Sequence, residues 1–419
     1  MIETKIIIKI ILWATYLVSL YFAVFWFLVL LDGEPRNKRK KLSRLPKVSI
    51  AVPAFNEEEN IEETISSLIK LDYPRELLEI IVVNDGSTDG TEEKVRKFKS
   101  SHKSFNIRIL SKENCGKGAA LNKALAMASG EFFVCLDADS TVSRNALMKI
   151  LPNFTGDDVA VVLPNLRVRD PKNILQRMQW TEYIINMFYK RLMSCLNCVH
   201  VAPGPFSVYR RKILEEIGGF DEKNLTEDME ITLRLQKMGY QIKQLMDTDV
   251  YTYAPSNFNE LYRQRNRWFK GSLLNVLKYK PMIFNKKYGD FGLIQMPTVL
   301  LSGVLAVILI TSFLYFGLKP YFKALYNFFF IDFDFYTLIK TFRYDFNFLD
   351  INYPTLMVAI VMLILSLLIL KKSHLLVSEK IKKHGIAPVF FFLFFYYLIL
   401  GLVWIGVLAE VIIDKKQKW

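Results

Sequence analysis

The sequence predicts an α/β protein, with a mostly parallel sheet carrying helices on both faces, joined to about four transmembrane helices and to amphipathic interfacial helices. From Lys47 to about Pro255, short apolar runs alternate with segments of helical spacing, and this βαβα order is typical of a parallel sheet. Charged and apolar residues are also segregated along the chain. The 419 residues are 52% hydrophobic and 23% charged, yet four long stretches carry no charge.

The alternating region is built from short units. Val48–Pro53 resembles a strand, and Asn56–Leu71 has apolar residues at helical spacing. The next predicted elements are a strand at Ile80–Val83, a helix at Thr88–Lys99, a strand at Ile107–Leu110, a helix at Lys117–Ala128 and a strand at Phe132–Leu136. Ligands of such sheets bind beyond the carboxyl ends of the strands, so the loops that follow the strands should hold the site.

The four uncharged stretches are long enough to cross a bilayer as helices, which takes about 20 residues. They are Ile10–Leu31, Gly292–Gly317, Ile351–Leu370 and Ile386–Ala409. A buried core helix is the alternative, most of all for the third stretch, which is shorter and has Pro354 near its start. The first stretch is too long for a signal peptide and lacks a small-residue cleavage site, which indicates a retained anchor.

Basic residues predict the orientation of a multi-pass cell-membrane protein. Arg36–Lys47 follows the first stretch and Lys371–Lys383 separates the last two, so both should be cytoplasmic. Residues 32–290 would then lie inside and residues 318–350 outside, although this outer connector and the tail Asp414–Trp419 also carry lysines. The expected divisions are a membrane helix at 1–31, a basic linker at 32–46, the α/β domain at 47–258, an amphipathic helix at 259–290 and a membrane region at 291–413.

The net charge of +14 suits nucleic acid, but much of it flanks the apolar stretches, where it would face anionic lipid headgroups. We therefore predict the bilayer as a partner and no nucleic acid. Cys195 and Cys198, with His200 nearby, resemble half of a zinc site. Because a second pair is missing, the pattern favours ordinary packing, and disulfides are not expected in a cytoplasmic domain.

Two long segments, Leu175–Leu196 and Asn259–Tyr279, mix aromatic and basic side chains at helical spacing. Such helices lie either on the surface of a domain or in the headgroup layer of a membrane. The second segment leads almost directly into an apolar stretch, which favours the headgroup layer.

Acidic residues follow two predicted strands. Asp85 comes after Ile80–Val83 in a turn that Gly86 permits, and the alternative is a capped turn with Thr88 or Asp89 as N-cap. Asp137 and Asp139 come after Phe132–Leu136. Paired carboxylates at a buried strand end need a compensating cation such as Mg²⁺ or Mn²⁺, and the alternative is a solvated Asp-rich turn.

Three further features have both structural and functional interpretations. Lys117 lies between two glycines at a helix start, a place suited to anions, without matching the phosphate loop. Thr226 is a plausible N-cap before Glu227 and Asp228, yet in a dry pocket that raises its pKa, Asp228 would suit a general base. Gln264–Trp268 offers Arg267 for a diphosphate and a flat Trp268 for a sugar, or is simply a basic interfacial helix.

In this order the motifs resemble the family 2 glycosyltransferases, the inverting GT-A (Rossmann-like) group that includes cellulose, chitin and hyaluronan synthases and dolichol-phosphate sugar transferases. The resemblance covers about residues 47–270. It is carried by Val52-Pro53-Ala54-Phe55-Asn56-Glu57, Asn84-Asp85-Gly86-Ser87, Asn114 to Asn122, Asp137-Ala138-Asp139, Gly204-Pro205-Phe206 through Arg211, Thr226-Glu227-Asp228 and Gln264 to Trp268.

The resemblance implies a role for each motif in a catalytic domain. The nucleotide-sugar donor, GDP- or UDP-linked, would be bound by Pro53, Ala54, Asn56, Glu57, Asp85, Lys117, Asp137, Gln264, Arg267 and Trp268. Asp139 would hold Mg²⁺ or Mn²⁺, and Asp228 would be the catalytic base beside Glu227. An α-linked donor would give a β-linked product by direct displacement.

Three functions stay open from the sequence. Cellulose and hyaluronan synthases have more helices around a polymer channel, so four stretches favour a membrane-associated acceptor, a polyprenyl or dolichyl phosphate or a lipid-linked glycan. A processive polysaccharide synthase is the alternative. A transport or scaffold protein with a degenerate nucleotide-binding domain is a third, against which the intact Asp139, Asp228 and Arg267 argue.

Overall fold

The computed structural model describes residues 2–32, 42–330 and 353–413. Most of the first basic cluster, most of the expected outer connector and the C-terminal tail lie outside the described residues. Within them, the predicted fold class is confirmed: an eight-stranded mixed sheet carries helices and is joined to four helices long and apolar enough to cross a membrane.

The sheet has the strand order β3-β2-β1-β4-β7-β6-β8-β5. Its strands are β1 Val48–Ala54, β2 Leu78–Asn84, β3 Asn106–Ser111, β4 Phe132–Cys135, β5 Thr141–Val142, β6 Val159–Val168, β7 Ser207–Arg210 and β8 Gln241–Thr252. The first four strands are parallel, while β7 runs antiparallel to both β4 and β6. The carboxyl ends of β1, β2 and β4 therefore meet at one edge.

Side-chain alternation along the strands builds a core on each face of the sheet. Ile50 and Val52 of β1 belong to one core, together with Ile61 and Ile65 of the following helix. Ala51, between them, belongs to the other core with Ala120, Leu121 and Ala124. All seven residues of β2 are buried, as expected for a parallel strand covered on both faces.

The helices of this domain are mostly shorter than predicted. They are α2 Ile61–Ile69, α3 Thr91–Ser101, α4 Lys117–Met127, α5 Ala146–Ile150, α6 Ile174–Cys195, α7 Arg211–Glu216, α8 Glu227–Lys237 and α9 Phe258–Lys278, after the first membrane helix α1 Ile2–Asp32. The N-cap of α3 is Gly90, so the prediction of Thr88 or Asp89 is wrong. The Asp89 carboxylate instead accepts hydrogen bonds from the backbone N–H groups of Glu58 and Thr91.

The other membrane helices follow α9. The second comprises the π-helical turn Phe291–Gln295, α10 Met296–Ser312 and the π-helical turn Phe313–Gly317, and continues into α11 Leu318–Phe330. The third is α12 Tyr353–Leu376, and the fourth comprises α13 Ala387–Phe391, the π-helical turn Phe392–Tyr396 and α14 Tyr397–Ile412. The third helix extends beyond its predicted end at Leu370 through Lys371 and Lys372.

The helices α6 and α9 join the sheet domain to the membrane helices. Phe188 and Leu192 of α6 pack with Trp26 of the first membrane helix and Ile369 of the third. The Phe269 ring of α9 stacks on Trp404 of the fourth membrane helix, with centroids 4.8 Å apart and planes at 9°. The predicted interfacial helices thus lie against protein on these faces.

Candidate active site

Carboxylates from the loop after β4 and from the start of α8 meet at the first residue of α4. Lys117 Nζ lies 2.5 Å from Asp137 Oδ1 after β4 and 3.5 Å from Glu227 Oε1 at the start of α8. Burial lowers the pKa of Lys117, but Asp137 and Glu227 outweigh it, so the pKa is raised overall. The lysine therefore stays charged and holds the acidic groups together. We call Lys117, Asp137, Glu227 and Asp228 the Lys117 cluster.

The Asp228 side chain belongs to this cluster through its electrostatic contact with Lys117. Its Oδ1 accepts a hydrogen bond of 2.8 Å from the backbone N–H of Met229. Burial raises the pKa of Asp228, and Lys117, the Met229 N–H, Lys190 and Arg267 only partly offset that rise. The pKa of Glu227 is also raised, by burial first and by Asp228.

Asp139 lies two residues beyond Asp137, and Ser140 Oγ donates a 2.9 Å hydrogen bond to its Oδ1. Burial and then the charge of Asp137 raise the pKa of Asp139. Burial also raises the pKa of Glu57 to about 7, and Asp139 and Asp137 add to that rise. Three carboxyl groups thus repel one another at one strand edge, which is the environment that a divalent cation relieves.

The donor set fits a hard divalent cation. Mg²⁺ and Mn²⁺ accept carboxylate oxygens and take their other ligands from water and substrate phosphates, so few protein ligands are needed. The described residues hold no group of three or more His, Cys, Asp or Glu side chains arranged as a complete metal site. Asp139 is the residue that would hold such an ion, with the ligand supplying most of the remaining oxygens.

Asp85 is fixed in the turn after β2. Its carboxylate accepts hydrogen bonds from Lys112 Nζ at 2.5 Å, the Gly116 N–H at 2.9 Å and the Cys115 N–H at 3.2 Å. Gly86 has a φ of 74°, and a Cβ there would lie 2.8 Å from the Asn114 nitrogen. Lys112 belongs to none of the sequence motifs, and it pairs with Asp85 only because the loops after β2 and β3 meet.

The opening motif links two loops of the same edge. Pro53 and Ala54 end β1, and Asn56 adopts a φ of 54°. The Asn56 side chain accepts a 2.8 Å hydrogen bond from the Thr88 N–H, and the Asn56 N–H donates to Ser87 Oγ at 3.0 Å. Glu57 is held in turn by its backbone N–H on Thr91 Oγ1, at 2.8 Å.

The motif Gln264–Trp268 divides between two faces of α9. Arg267 is exposed and lies within electrostatic reach of Asp228. Arg265 is 1% exposed, and its Nη2 lies 2.5 Å from Glu182 Oε2. The Arg265 guanidinium lies 4.1 Å from the centroid of the Trp268 ring, and Gln264 Oε1 accepts a 3.2 Å bond from Arg265 Nη1. Trp268 therefore contacts protein on one face.

Several residues take roles that their sequence pattern did not predict. Thr226 occupies the N-cap position of α8, as predicted, although its side chain makes no capping hydrogen bond. Thr226 Oγ1 instead accepts from Asn275 Nδ2 at 2.9 Å. A Cβ at Gly204 would fall on Lys117 Nζ and the Asp137 carboxylate. Burial lowers the pKa of Lys190 to about 8, and Asp228 opposes that shift.

The cysteines follow the packing interpretation. Cys195 Sγ donates to the Arg191 carbonyl and Cys198 Sγ to the Leu196 carbonyl, each at 3.4 Å. His200 Nδ1 lies 3.0 Å from Gln295 Nε2 of the second membrane helix. Cys198 packs in an apolar cluster that includes Met229.

Comparison with known proteins gives one consistent class. Residues 49–218 match the model of glycosyl transferase family 2. A probable glycosyltransferase of Bacillus subtilis is 33% identical over 261 residues, 59% of this chain and 60% of that protein. The poly-β-1,6-N-acetyl-D-glucosamine synthase of Staphylococcus epidermidis is 28% identical over 310 residues, 70% of this chain and 74% of that protein. The chain therefore covers less than two thirds of the length of the Bacillus subtilis protein.

The fold recurs in a solved mannosyltransferase from Pyrobaculum calidifontis, determined in complex with GDP-Man and Mn²⁺. The two chains share 19% identity and a TM-score of 0.60, with 98% of each covered. Together with the sheet topology, this likeness shows a GT-A fold in a chain whose described residues include four helices long and apolar enough to cross a membrane. The domain at residues 49–218, which matches the family model, belongs to glycosyl transferase family 2.

Proposed function

We propose that the protein transfers a sugar from a nucleoside-diphosphate sugar to a hydroxyl group of a membrane-associated acceptor. The configuration at the anomeric carbon would invert, and Mg²⁺ or Mn²⁺ would be the cofactor. The Lys117 cluster carries the proposal, because Lys117 Nζ lies 2.5 Å from Asp137 and 3.5 Å from Glu227. The carboxylates of Asp137 in the loop after β4 and of Glu227 at the start of α8 are held beside Asp228, at the strand edge where such sheets bind ligands. The solved mannosyltransferase with GDP-Man and Mn²⁺ supports this donor class.

The environment of Asp228 favours a hydroxyl acceptor over a bare phosphate. A polyprenyl phosphate is already largely ionised at neutral pH, since the second pKa of a phosphate monoester is about 6, and needs no base. A hydroxyl must lose its proton as it attacks, and a carboxylate with a raised pKa is a better base for that step. Because burial raises the pKa of Asp228, a lipid-linked glycan is the preferred acceptor.

The step is a single displacement. Asp228 takes the hydroxyl proton while the acceptor oxygen bonds to the anomeric carbon and the bond to the diphosphate breaks on the opposite side, so the configuration inverts. Arg267, which lies within electrostatic reach of Asp228, would face the charge that develops on the diphosphate. A bound divalent cation on Asp139 would compensate the same charge.

The membrane helices support the proposal of a membrane-associated acceptor. The helix that carries Arg267 is stacked on the fourth membrane helix through Phe269 and Trp404. An acceptor anchored in the bilayer would then reach the crevice without leaving the surface. We assign the catalytic domain to the cytoplasmic face of the cell membrane, because basic residues cluster where the third membrane helix ends and in the connector that follows it. They are Lys371 and Lys372 in the helix and Lys380, Lys382 and Lys383 in the connector.

A processive polysaccharide synthase is the second candidate. The Staphylococcus epidermidis synthase aligns with 70% of this chain at 28% identity, which extends beyond the sheet domain. This candidate shares the chemistry of the Lys117 cluster and differs in what happens to the product, which would stay bound and be extended.

The decisive experiment supplies UDP- and GDP-sugars, one at a time, to the full-length protein with Mg²⁺ or Mn²⁺ and a lipid extract. We expect transfer from one donor, and a loss of about 10²- to 10⁴-fold in Asp228→Asn, with Asp157→Asn, an exposed carboxylate, as the matched control. Single additions support the preferred acceptor, and products of distributed length support the synthase. Full activity in Asp228→Asn, or no transfer from any donor, contradicts the proposal.

A further inference from the structure

A cavity of about 480 Å³ lies between the sheet domain and the connector of the third and fourth membrane helices. Its walls come from α2, from β5, β6 and β8, and from connector residues 379, 383 and 384. We call it the connector cavity. None of the side chains assigned to the reaction lines it, although Thr141 in its wall is only two residues from Asp139.

The wall of the connector cavity has an excess of positive charge. Five cationic side chains face three acidic ones, which leaves an excess of two. The cationic residues are Lys70, Arg144, Arg167, Arg169 and Lys383, and the acidic residues are Glu63, Asp170 and Glu379.

Three of the cations are already neutralised. Arg167 pairs with Asp249 at 2.8 Å and with Glu379 at 3.0 Å. Arg169 pairs with Glu63 at 2.7 Å, and Lys383 pairs with Glu379 at 2.9 Å.

Lys70 and Arg144 differ from these three. Both side chains are exposed, and neither forms an ion pair with any residue in the described part of the chain. Arg167 and Arg169 in the same wall are held in ion pairs. An anion that enters the cavity could therefore bind Lys70 and Arg144 without breaking an ion pair within the described part of the protein.

The connector cavity lies at the height of the membrane helix ends. Arg167 Nη2 donates a 3.0 Å hydrogen bond to the carbonyl of Val377, the residue directly after the third membrane helix ends at Leu376. The Trp180 ring, also in the wall, lies 4.7 Å from the ring of His384, three residues before the fourth helix begins. Headgroup phosphates are found at this level of a bilayer.

We propose that the connector cavity binds a phosphate group through Lys70 and Arg144, presented by a phospholipid headgroup or by a soluble phosphate-bearing molecule. Arginine and lysine suit this ligand because a guanidinium donates to two phosphate oxygens and an ammonium acts as a point charge. The site is connected to the metal motif, since Thr64 of the adjoining helix α2 donates a 2.7 Å hydrogen bond to the Ala138 carbonyl. It is independent of the donor and acceptor proposed above.

The test measures binding to the full-length protein in two arms. One arm follows retention of phosphatidylglycerol in nanodiscs of phosphatidylcholine by native mass spectrometry, and the other follows the thermal shift with inorganic phosphate in detergent at constant ionic strength. In the arm that shows binding, Lys70→Ala with Arg144→Ala should weaken it about tenfold. Lys97→Ala with Lys99→Ala removes the same charge from α3 and should leave it unchanged, and Lys70→Arg with Arg144→Lys should retain it.

Each outcome decides the proposal. If the double alanine variant binds phosphatidylglycerol more weakly than wild type, the cavity is a headgroup site. If it binds inorganic phosphate more weakly, the ligand is a soluble phosphate-bearing molecule. The proposal is overturned if wild-type protein binds in neither arm, or if the double alanine variant binds as tightly as the α3 control. It is also overturned if Arg267→Ala alone abolishes phosphate binding, because the phosphate would then occupy the donor crevice.

Discussion

Arg265 Nη2 lies 2.5 Å from Glu182 Oε2, and this buried pair joins the helix of the Gln264–Trp268 motif to α6. The same carboxylate oxygen accepts a 2.8 Å hydrogen bond from the Tyr396 hydroxyl of the fourth membrane helix. Three helices thus converge on one oxygen atom. Arg267, two positions along the same helix, is exposed and lies within electrostatic reach of Asp228, so the two arginines of one motif lie in different environments.

Removing one partner of the buried pair should destabilise the protein. Arg265→Ala leaves the Glu182 charge buried without compensation, which costs about 3–5 kcal/mol of unfolding free energy. The double variant Arg265→Met with Glu182→Met replaces both charges by apolar chains and should recover most of that loss. Thermal unfolding in detergent measures both, and equal melting temperatures for the single and double variants would show that the pair is not coupled.

Gly204→Ala should lower activity without unfolding the domain. The added methyl group would fall on Lys117 Nζ and the Asp137 carboxylate, so one of them must move and the Lys117 cluster would open. We expect a loss of about 10²-fold in kcat/KM, typical of a misplaced reactive group. Gly239→Ala, at a glycine with no heavy atom within 4 Å of the added carbon, controls for a general effect of added methyl groups, though its positive φ adds some strain. An unchanged kcat/KM in Gly204→Ala would show that the added methyl group does not disturb Lys117 and Asp137.

Metal binding should strengthen as the pH rises through neutrality. The pKa of Glu57 is raised to about 7 by burial, with Asp139 and Asp137 adding to it, so the carboxyl is neutral below that pH and ionised above it. An ionised Glu57 attracts a cation on Asp139, and each coupled proton changes the affinity by up to about tenfold per pH unit. Mn²⁺ titrations by electron paramagnetic resonance between about pH 6 and about pH 8 would measure the slope.

Glu57→Gln provides the control for that dependence. The slope should become shallower, leaving the contribution of Asp139, whose pKa is also raised. Without metal, the folded pKa of Glu57 lies above its unfolded value, so wild-type protein should lose stability as the pH rises from 4.5 to about 7. Glu57→Gln should lose less stability over the same pH range. Identical slopes of stability against pH in both proteins would show that Glu57 does not titrate as proposed.

Arg267→Lys should separate charge from geometry in the exposed arginine. A lysine keeps the positive charge but cannot donate two parallel hydrogen bonds to a diphosphate. We expect a fall in kcat/KM of about 10-fold for Arg267→Lys and about 10²- to 10³-fold for Arg267→Ala, as for lost transition-state donors. Arg263→Ala, another exposed arginine of α9, serves as the matched control. Equal activity of Arg267→Ala and wild type would exclude the proposed role.

The sequence predicted the half of the sheet in which local pattern decides structure. The strands β1 to β4 are apolar runs with helices between them, and each was located within about two residues, the usual uncertainty of element ends. The strand β7 has only four residues, Ser207–Arg210, and it pairs antiparallel with β4 some seventy residues earlier. Nothing in so short a segment specifies that long-range partner.

The motifs were found because their residues are close in sequence, whereas their partners were not. Lys112 reaches Asp85 only when two loops fold together, and Gly204 matters only because it lies against Lys117. Arg265 and Arg267 are both arginines on one helix, and two positions on a helix turn the side chains by about 200°. Which of them is buried depends on where α6 and the fourth membrane helix pack.

The stacked rings of Phe269 and Trp404 lie parallel to within 9° and join the helix that carries Arg267 to a helix long and apolar enough to cross a membrane. This contact would set the distance between the crevice at the strand edge and the hydrocarbon layer of the membrane. In the proposed reaction, an acceptor whose hydroxyl is held nearer to the bilayer than Asp228, or farther from it, would not reach that carboxylate, so the length of the lipid anchor would select the substrate.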